Sequence, residues 1–264
     1  MKKYFVIGNP INHSLSPKLH NYWLKENNID AIYDKKKIEE KNLQTIISEV
    51  KGKKINGINV TVPFKKIVIP YLDKLSLEAD KTQSVNTIVL DNDNLVGHNT
   101  DIQGFIRAIK ELNFNIRGKK IFILGAGGVV PSIIFALNKM NVSKIIVSNR
   151  TKKKAEDLKS QFHNLEILDW GDINDFDVII NATSLGLNKE SINLDFSKFS
   201  NDKFFYDVIY NPAETNFLKE GKKLGNRTEN GKLMFIYQAF EAFKLWHGIE
   251  PQINSDILEI LNND

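Results

Sequence analysis

The sequence contains no cysteine, which excludes disulfides, thiolate metal sites and cysteine nucleophiles. It also lacks any apolar run near the ~18–20 residues of a membrane span. A large charge excess is missing too: 36 Lys and Arg against 32 Asp and Glu leave a net charge of +4, too small and scattered for a nucleic-acid surface. The remaining composition, 42% hydrophobic and 26% charged, is typical of a globular protein with neither nucleic acid nor membrane as partner.

A targeting signal is not evident at the N-terminus. The apolar run there, YFVIG, stops before Asn9 and Pro10. It falls short of the ~7–15 residues of a signal-peptide core. We therefore expect a cytoplasmic protein. The sequence does not fix the oligomeric state, and a homodimer is compatible with it.

Strand-like and helix-like segments alternate along the chain. This alternation indicates βαβ units and predicts an α/β protein with a parallel sheet. We expect two domains: a mixed α/β domain over residues 1–101, completed by C-terminal helices over 232–264, and a doubly wound domain over 102–231. The predicted strands cover residues 3–7, 57–62, 85–90, 95–96, 120–124, 144–148, 178–181 and 204–208; helices begin near 16, 43, 100, 129, 152, 233 and 255.

A glycine turn in the second domain indicates a nucleotide site. The segment IFILGAGGVVPSIIFAL is a strand, a turn and a helix, and the turn holds Gly125, Gly127 and Gly128. Such a turn lets backbone N–H groups and the helix N-terminus approach a pyrophosphate. Pro131 suits the first helical turn. A plain tight turn between strand and helix is the alternative interpretation.

The next strand favours NADP(H) over NAD(H). A site for the unphosphorylated cofactor places an acidic residue at the end of this strand. Here the strand ends in Asn149, Arg150 and Thr151, followed by lysines at 152–154. Arginine binds phosphate through a planar fork, and the lysines add positive potential. An ordinary basic helix start is the weaker alternative, because basic residues there oppose the helix dipole.

Three polar motifs lie in the first domain. In HSLSP, Ser16 is either a helix N-cap or, with Ser14, a hydroxyl that binds a carboxylate or hydroxyl ligand. In NVTVPFK, strand alternation sets Asn59 and Thr61 opposite the face of Ile58, Val60 and Val62. Lys65, just beyond this strand, is either a surface charge or a proton donor and acceptor.

The third motif brings in an acidic residue. Val85-Asn86-Thr87 is followed by His98-Asn99-Thr100-Asp101, with Asp101 in a first helical turn. An aspartate there stabilises the helix through its dipole. The alternative is that Asp101 pairs with Lys65 and holds it in place.

The whole set of motifs resembles the shikimate dehydrogenase family. The chain carries, in that family's order and spacing, HSLSP, NVTVPFK, VNT, NTD, GAGG, NRT, NATS and NGKLMFIYQAFEAFKLWHG. The resemblance implies a substrate domain followed by a Rossmann-like NADP-binding domain. It also implies reduction of 3-dehydroshikimate with NADPH in aromatic amino acid biosynthesis.

The resemblance assigns roles at the matching positions. Lys65 and Asp101 would be the catalytic pair, with Lys65 as acid and base, and Ser14 and Ser16 would bind the substrate carboxylate. The other substrate-binding residues would be Asn59, Thr61, Asn86, Asp101, Tyr210 and Gln238.

The implied NADP site has three parts. Gly125, Ala126, Gly127, Gly128 and Val129 would hold the pyrophosphate. The adenosine end would contact Asn149, Arg150, Thr151 and Lys154, with Arg150 on the 2′-phosphate, and the nicotinamide side would be lined by Thr183, Val208 and Gly231.

Three stretches depart from the family pattern: VVPS after the glycine turn, Thr-Gln-Ser before VNT, and Leu-Gly-Leu after NATS. None removes a predicted catalytic group. Two other functions remain open from the sequence. One is a quinate/shikimate dehydrogenase that uses NAD, which the NRTKKK segment argues against. The other is a non-catalytic NADP-binding sensor, from which Lys65 or Asp101 would be expected to be lost.

Overall fold

Helices and strands alternate through most of the chain in a computed structural model, which describes residues 1–188 and 190–262. The chain divides into two compact units. Unit 1 comprises Met1–Gly104 and the segment from Ile236 onward, and unit 2 comprises Phe105–Phe235. Each unit contains a six-stranded sheet. The predicted two-domain α/β fold is confirmed. No helix within the described ranges is long and apolar enough to cross a membrane.

Unit 1 is built on a mixed sheet with strand order β2-β1-β3-β5-β6-β4. Strand β1 pairs in parallel with β2 and β3, whereas β5 pairs antiparallel with β3 and β6. Its elements are β1 (Lys2–Gly8), α1 (Ser16–Glu26), β2 (Ala31–Lys37), α2 (Leu43–Lys51), β3 (Gly57–Val60), α3 (Phe64–Ile67), β4 (Lys74–Leu75), α4 (Leu77–Thr82), β5 (Thr87–Asp91), β6 (Asn94–His98), the start of α5 (Asp101–Glu111), most of α9 (Lys232–His247) and α10 (Ser255–Asn262).

Helix α2 shows why this unit folds as it does. Leu43, Ile46, Ile47 and Val50 recur at three- and four-residue spacing, so they form one apolar stripe. All four are buried in a cluster with the β3 residue Ile58. Burying each such side chain contributes roughly 1.5–3 kcal/mol.

Two local predictions for unit 1 are wrong. Strand β3 ends at Val60, and Val62 is 54% exposed instead of sharing the apolar face of Ile58. The reason is a turn, closed by the Phe64 N–H, which donates to the Thr61 carbonyl at 2.9 Å. Ser16 is not a helix cap: Leu15 takes that position, and Ser16 is the first residue of α1.

Unit 2 is built on an all-parallel sheet of order β12-β11-β10-β7-β8-β9. Counted from β7, this is the strand order of the Rossmann dinucleotide-binding fold. The order reverses between β7 and β10, and ligands bind beyond the carboxyl ends of strands at such a switch point. The elements that follow α5 are β7 (Lys120–Leu124), α6 (Val130–Lys139), β8 (Lys144–Ser148), α7 (Lys152–Gln161), β9 (Leu165–Leu168), β10 (Val178–Asn181), β11 (Phe204–Asp207), α8 (Asn216–Lys223) and β12 (Arg227–Glu229).

Candidate functional site

Lys65 and Asp101 form a buried ion pair in unit 1. Lys65 lies in the single-turn helix α3 and is 8% exposed, and Asp101 begins α5 and is 5% exposed. The Lys65 Nζ atom lies 2.5 Å from Asp101 Oδ2. Two charges are withdrawn from water only where hydrogen bonds and close geometry compensate the cost, so this pair is a specific feature of the site.

Asn86 fixes the carboxylate of Asp101 from the other side. Its Nδ2 group donates to Asp101 Oδ1 and to Thr100 Oγ1, both at 2.9 Å. The Asn86 Oδ1 atom accepts from the Thr100 N–H at 2.8 Å. Gln238 Oε1 lies 3.5 Å from the same Nδ2 group. The structure thus brings together four predicted site residues, Lys65, Asn86, Asp101 and Gln238.

Asn59 is held by protein groups through its whole amide. Its Nδ2 donates to the Asn86 carbonyl and to Thr87 Oγ1, both at 3.0 Å. Its Oδ1 accepts from the Tyr33 hydroxyl at 2.6 Å. Sequence reasoning missed Tyr33, because the polar strand β2 that carries it was not predicted.

Ser14 lies in the segment that links β1 to α1, and Ser16 is the first residue of α1; their Oγ atoms are 3.2 Å apart. The carboxyl ends of the parallel strands β1 and β3 meet at one edge of the sheet. The Asn9 N–H, beyond β1, donates to the carbonyl of Val62, beyond β3, at 2.9 Å. Both serines, Thr61 and Lys65 therefore follow strands that end at the same edge.

The glycine turn of unit 2 fits a dinucleotide. Gly125 has φ +111°, and a Cβ there would lie 2.8 Å from the Ala182 carbonyl oxygen, so only glycine is tolerated. Gly127 and Gly128 are exposed and precede α6, whose first turn contains Pro131 as predicted. Ala126 and Val129 complete the turn. Backbone N–H groups at a helix N-terminus of this kind bind phosphate.

The basic segment after β8 keeps two cations available. Lys152 pairs with Asp169 at 2.7 Å, and Lys153 pairs with Asp157 at 3.2 Å, so each of these lysines has a carboxylate partner. Within the described part of the chain, no carboxylate forms an ion pair with Arg150 or Lys154. A carboxylate does reach this region, that of Asp169 beyond β9, but Lys152 binds it. Asn149 Nδ2 donates to the Thr151 carbonyl at 2.8 Å and shapes the turn.

The three residues predicted at the nicotinamide side lie together. Thr183 Oγ1 donates to Asn181 Oδ1 at 2.7 Å, and the Val208 N–H donates to the Asn181 carbonyl at 2.9 Å. A Cβ on Gly231 would lie 2.1 Å from the Val208 carbonyl oxygen, so its backbone contacts Val208 directly. Tyr210, predicted to reach the substrate, stacks on Phe235 with ring centroids 4.3 Å apart.

An aspartate that sequence reasoning missed lies beside this group. Asp207, at the end of β11, is fully buried and accepts hydrogen bonds from Asn181 Nδ2 at 3.1 Å and from Thr215 Oγ1 at 2.6 Å. Burial raises the pKa of its carboxyl group to about 6. The available signal was an acidic residue that ends an otherwise apolar strand, FFYD.

Comparison with known proteins identifies relatives for the whole chain. Three family models match in succession: shikimate dehydrogenase substrate binding domain over residues 6–88, shikimate / quinate 5-dehydrogenase over 107–207, and shikimate 5′-dehydrogenase C-terminal domain over 233–254. Shikimate dehydrogenase (NADP(+)) of Pelagibacter ubique (strain HTCC1062) is 54% identical over 264 residues, covering 99% of this chain and 100% of that protein.

Solved structures agree with this comparison. Shikimate dehydrogenase from Aquifex aeolicus is 36% identical and superposes with a TM-score of 0.91, covering 100% of this chain and 98% of that one. Shikimate 5-dehydrogenase from Thermus thermophilus, in complex with NADP(H) and shikimate, is 30% identical with a TM-score of 0.90, covering 99% of each chain. The resemblance found in the motifs is confirmed, and the chain belongs to the shikimate dehydrogenase family.

Proposed function

We propose that the protein reversibly reduces 3-dehydroshikimate to shikimate with NADPH, in the pathway to chorismate and the aromatic amino acids. The observation that carries this proposal is the buried Lys65–Asp101 pair, whose Nζ and Oδ2 atoms lie 2.5 Å apart. The names of the relatives and the free cations beside the glycine turn support it. The cytoplasmic location and a homodimer stay predictions.

Lys65 is the proposed acid and base. When bound, NADPH supplies a hydride to the C3 carbonyl carbon of the substrate. Lys65 Nζ donates the proton to the carbonyl oxygen in reduction and accepts it in the reverse direction. Such proton transfer typically contributes about 10²–10⁴-fold to a rate. Asp101 holds Nζ in place, and Asn86 holds Asp101.

The substrate would be oriented by hydroxyl and amide groups. Ser14 and Ser16 bind its carboxylate, since two hydroxyls in contact present donors to one anion. Ring hydroxyls are bound by Asn86, Asp101 and Gln238, which already form one cluster. The amide of Asn59 is occupied by Tyr33, Asn86 and Thr87, so it acts chiefly by holding its neighbours. Thr61 and Tyr210 are also proposed to contact the substrate.

The cofactor would be bound entirely by unit 2. The turn from Gly125 to Val129 holds the pyrophosphate, and Arg150 holds the 2′-phosphate with help from Lys154. Asn149 and Thr151 shape the adenosine end. Thr183, Val208 and Gly231 line the nicotinamide side. Use of NADP over NAD follows because an exposed, unpaired arginine binds a charged phosphate more strongly than a neutral ribose hydroxyl.

The test is a turnover assay that follows absorbance of the reduced nicotinamide. Shikimate and quinate are each supplied with NADP and with NAD. We expect shikimate with NADP to give the highest kcat/KM. Preference for NAD and quinate would support the alternative dehydrogenase. NADPH binding without turnover of either acid would identify a sensor, and the proposed reaction would be wrong.

A further inference from the structure

The Asp207 carboxylate is buried without a cation. It is fully buried, and no lysine, arginine or histidine among the described residues forms an ion pair with it. Its oxygens accept from Asn181 Nδ2 at 3.1 Å each, from the Ile209 N–H at 2.9 Å and from Thr215 Oγ1 at 2.6 Å. Burial raises its pKa to about 6, so ionisation at neutral pH costs stability. A buried group that destabilises the fold when it ionises indicates a functional role.

The carboxylate determines how the Asn181 amide is oriented. Asn181 Nδ2 donates to Asp207 and to the Leu185 carbonyl, the latter at 3.1 Å. An amide turned the other way would set its oxygen against these acceptors. Asn181 Oδ1 is thereby directed at Thr183, and it accepts from the Thr183 N–H at 3.1 Å and from its Oγ1 at 2.7 Å.

The held segment lies at the switch point of the sheet. Thr183 follows β10, and the Leu185 N–H donates to Thr183 Oγ1 at 3.1 Å, so residues 181–185 form a closed turn. The Ala182 N–H donates to the carbonyl of Leu124, the last residue of β7, at 2.8 Å. The same turn places the Ala182 carbonyl against Gly125. Asp207 is therefore linked, through one amide, to the pyrophosphate turn and to Thr183.

We propose that Asp207 is a positioning residue for the dinucleotide: through Asn181 it sets the turn at 181–185, and with it the nicotinamide side of the site. This inference rests on the proposed function. It assigns to Asp207 no contact with substrate or cofactor. Its effect is confined to unit 2, so cofactor binding should depend on it and shikimate binding should not.

The test uses Asp207→Asn in the full chain, with NADPH binding measured by its fluorescence and shikimate binding by calorimetry. Asn181 Nδ2 contacts both carboxylate oxygens, so an asparagine at this position replaces one of these two acceptors with an N–H donor that opposes the Asn181 amide. We expect the Kd for NADPH to rise about tenfold, on the scale of one lost hydrogen bond to a charged group. The Kd for shikimate should stay within about twofold. Thr215→Ser keeps the hydroxyl donor and is the matched control, with both Kd values unchanged.

A second variant keeps the proposal testable if Asp207→Asn does not fold. Asn181→Ala removes the link but leaves Asp207 bonded to Thr215 and Ile209. It should weaken NADPH in the same way.

Three outcomes separate the possible failures. A wild-type chain that binds no NADPH would contradict the proposed function itself. A wild-type chain that binds NADPH, with Asp207→Asn or Asn181→Ala binding it equally well, would contradict only the positioning role. Equal weakening of NADPH and shikimate would also overturn it, because it would indicate a general loss of structure.

Discussion

Lys65 is buried and paired with Asp101, whereas its neighbour Lys66 is exposed. Lys65→Met keeps the aliphatic stem and removes the proton donor. We expect its kcat for shikimate oxidation to fall at least about a hundredfold, on the scale of ~10²–10⁴ for general acid–base groups. Steady-state kinetics with NADP measure this fall.

Loss of the lysine leaves a buried Asp101 charge without a cation, which is destabilising. The melting temperature of the variant is therefore measured as well, and the rate is measured at a temperature where the variant is folded. Lys66→Met serves as the control and should keep wild-type kcat. A folded Lys65→Met enzyme with most of its turnover would show that the lysine transfers no proton.

Arg150 is exposed and has no carboxylate partner within the described ranges, unlike Lys153, which pairs with Asp157. Arg150→Ala should weaken NADP binding at least tenfold, since a hydrogen bond to a charged group contributes about 1.5–3 kcal/mol. Binding of NAD should change little. Titration of both cofactors measures the difference, and Lys153→Ala should alter neither affinity. Equal losses for NADP and NAD in Arg150→Ala would exclude a contact with the 2′-phosphate.

At the scale of the element, the sequence predicted buried strands best. Strands β7, β8 and β10 match their predicted bounds, because strands covered on both faces are continuous apolar runs. Strand β2 was missed because six of its seven residues are not fully buried and three are lysines. Without β2 the prediction also lacked a residue of the site, since the one buried residue of β2 is Tyr33, the partner of Asn59.

Contacts between distant segments were predicted only in part, for a different reason. A pairing of Asp101 with Lys65 was one of two interpretations of the motifs, and spacing alone did not decide between them. Asp207 carries no motif of its own, and its partners Asn181 and Thr215 come from different elements. Buried hydrogen bonds of this kind depend on sheet order, which the sequence pattern gives only in outline.

Helix α4 ends in a backbone strain that a single change should relieve. Its C-cap residue, Gln83, has φ 47° and ψ 41°, in the left-handed region that costs a non-glycine residue roughly 1 kcal/mol. We expect Gln83→Gly to change the free energy of unfolding by less than about 1 kcal/mol, because relief of the strain is offset by the greater entropy of an unfolded glycine and by loss of a side-chain hydrogen bond. Thermal and urea unfolding measure the change.

The control for this helix end is Gln83→Ala. It keeps the left-handed strain and, like the glycine variant, loses the hydrogen bond from Gln83 Nε2 to the Asp80 carbonyl at 2.7 Å. Gln83→Gly should therefore be more stable than Gln83→Ala by about 1 kcal/mol. The strain argument fails if the alanine variant is equally stable.

At the scale of the whole molecule, two buried groups have opposite effects on the pH dependence of stability. In unit 2, the raised pKa of Asp207, about 6, makes its contribution most favourable at low pH, and that stability is lost as pH rises through 6. In unit 1, burial lowers the pKa of His20 from 6.5 to about 3. Below pH 6.5 His20 is protonated in the unfolded chain but stays neutral in the folded one. Acidification therefore lowers the free energy of unfolding.

His20 lies inside an aromatic cluster that explains the low pKa. Its ring stacks on Tyr33 with centroids 4.2 Å apart, and its Nε2 atom finds no hydrogen-bond partner among the described residues. His247 faces the same cluster, and burial together with the charge of Lys2 lowers its pKa to about 4. Both histidines are thus neutral in the folded unit, and both favour unfolding below pH 6.5.

His20→Leu should flatten the pH dependence of stability. The leucine is apolar, of similar size and does not titrate. Between pH 7 and pH 5 the wild-type chain should lose about 2 kcal/mol more than the variant, because the unfolded histidine is protonated over about 1.5 pH units and each unit corresponds to about 1.4 kcal/mol. Urea unfolding of wild type and His20→Leu at each pH measures this. Parallel pH dependences for wild type and His20→Leu would mean that His20 is protonated inside the fold, because only a group with different pKa values in the two states couples stability to pH.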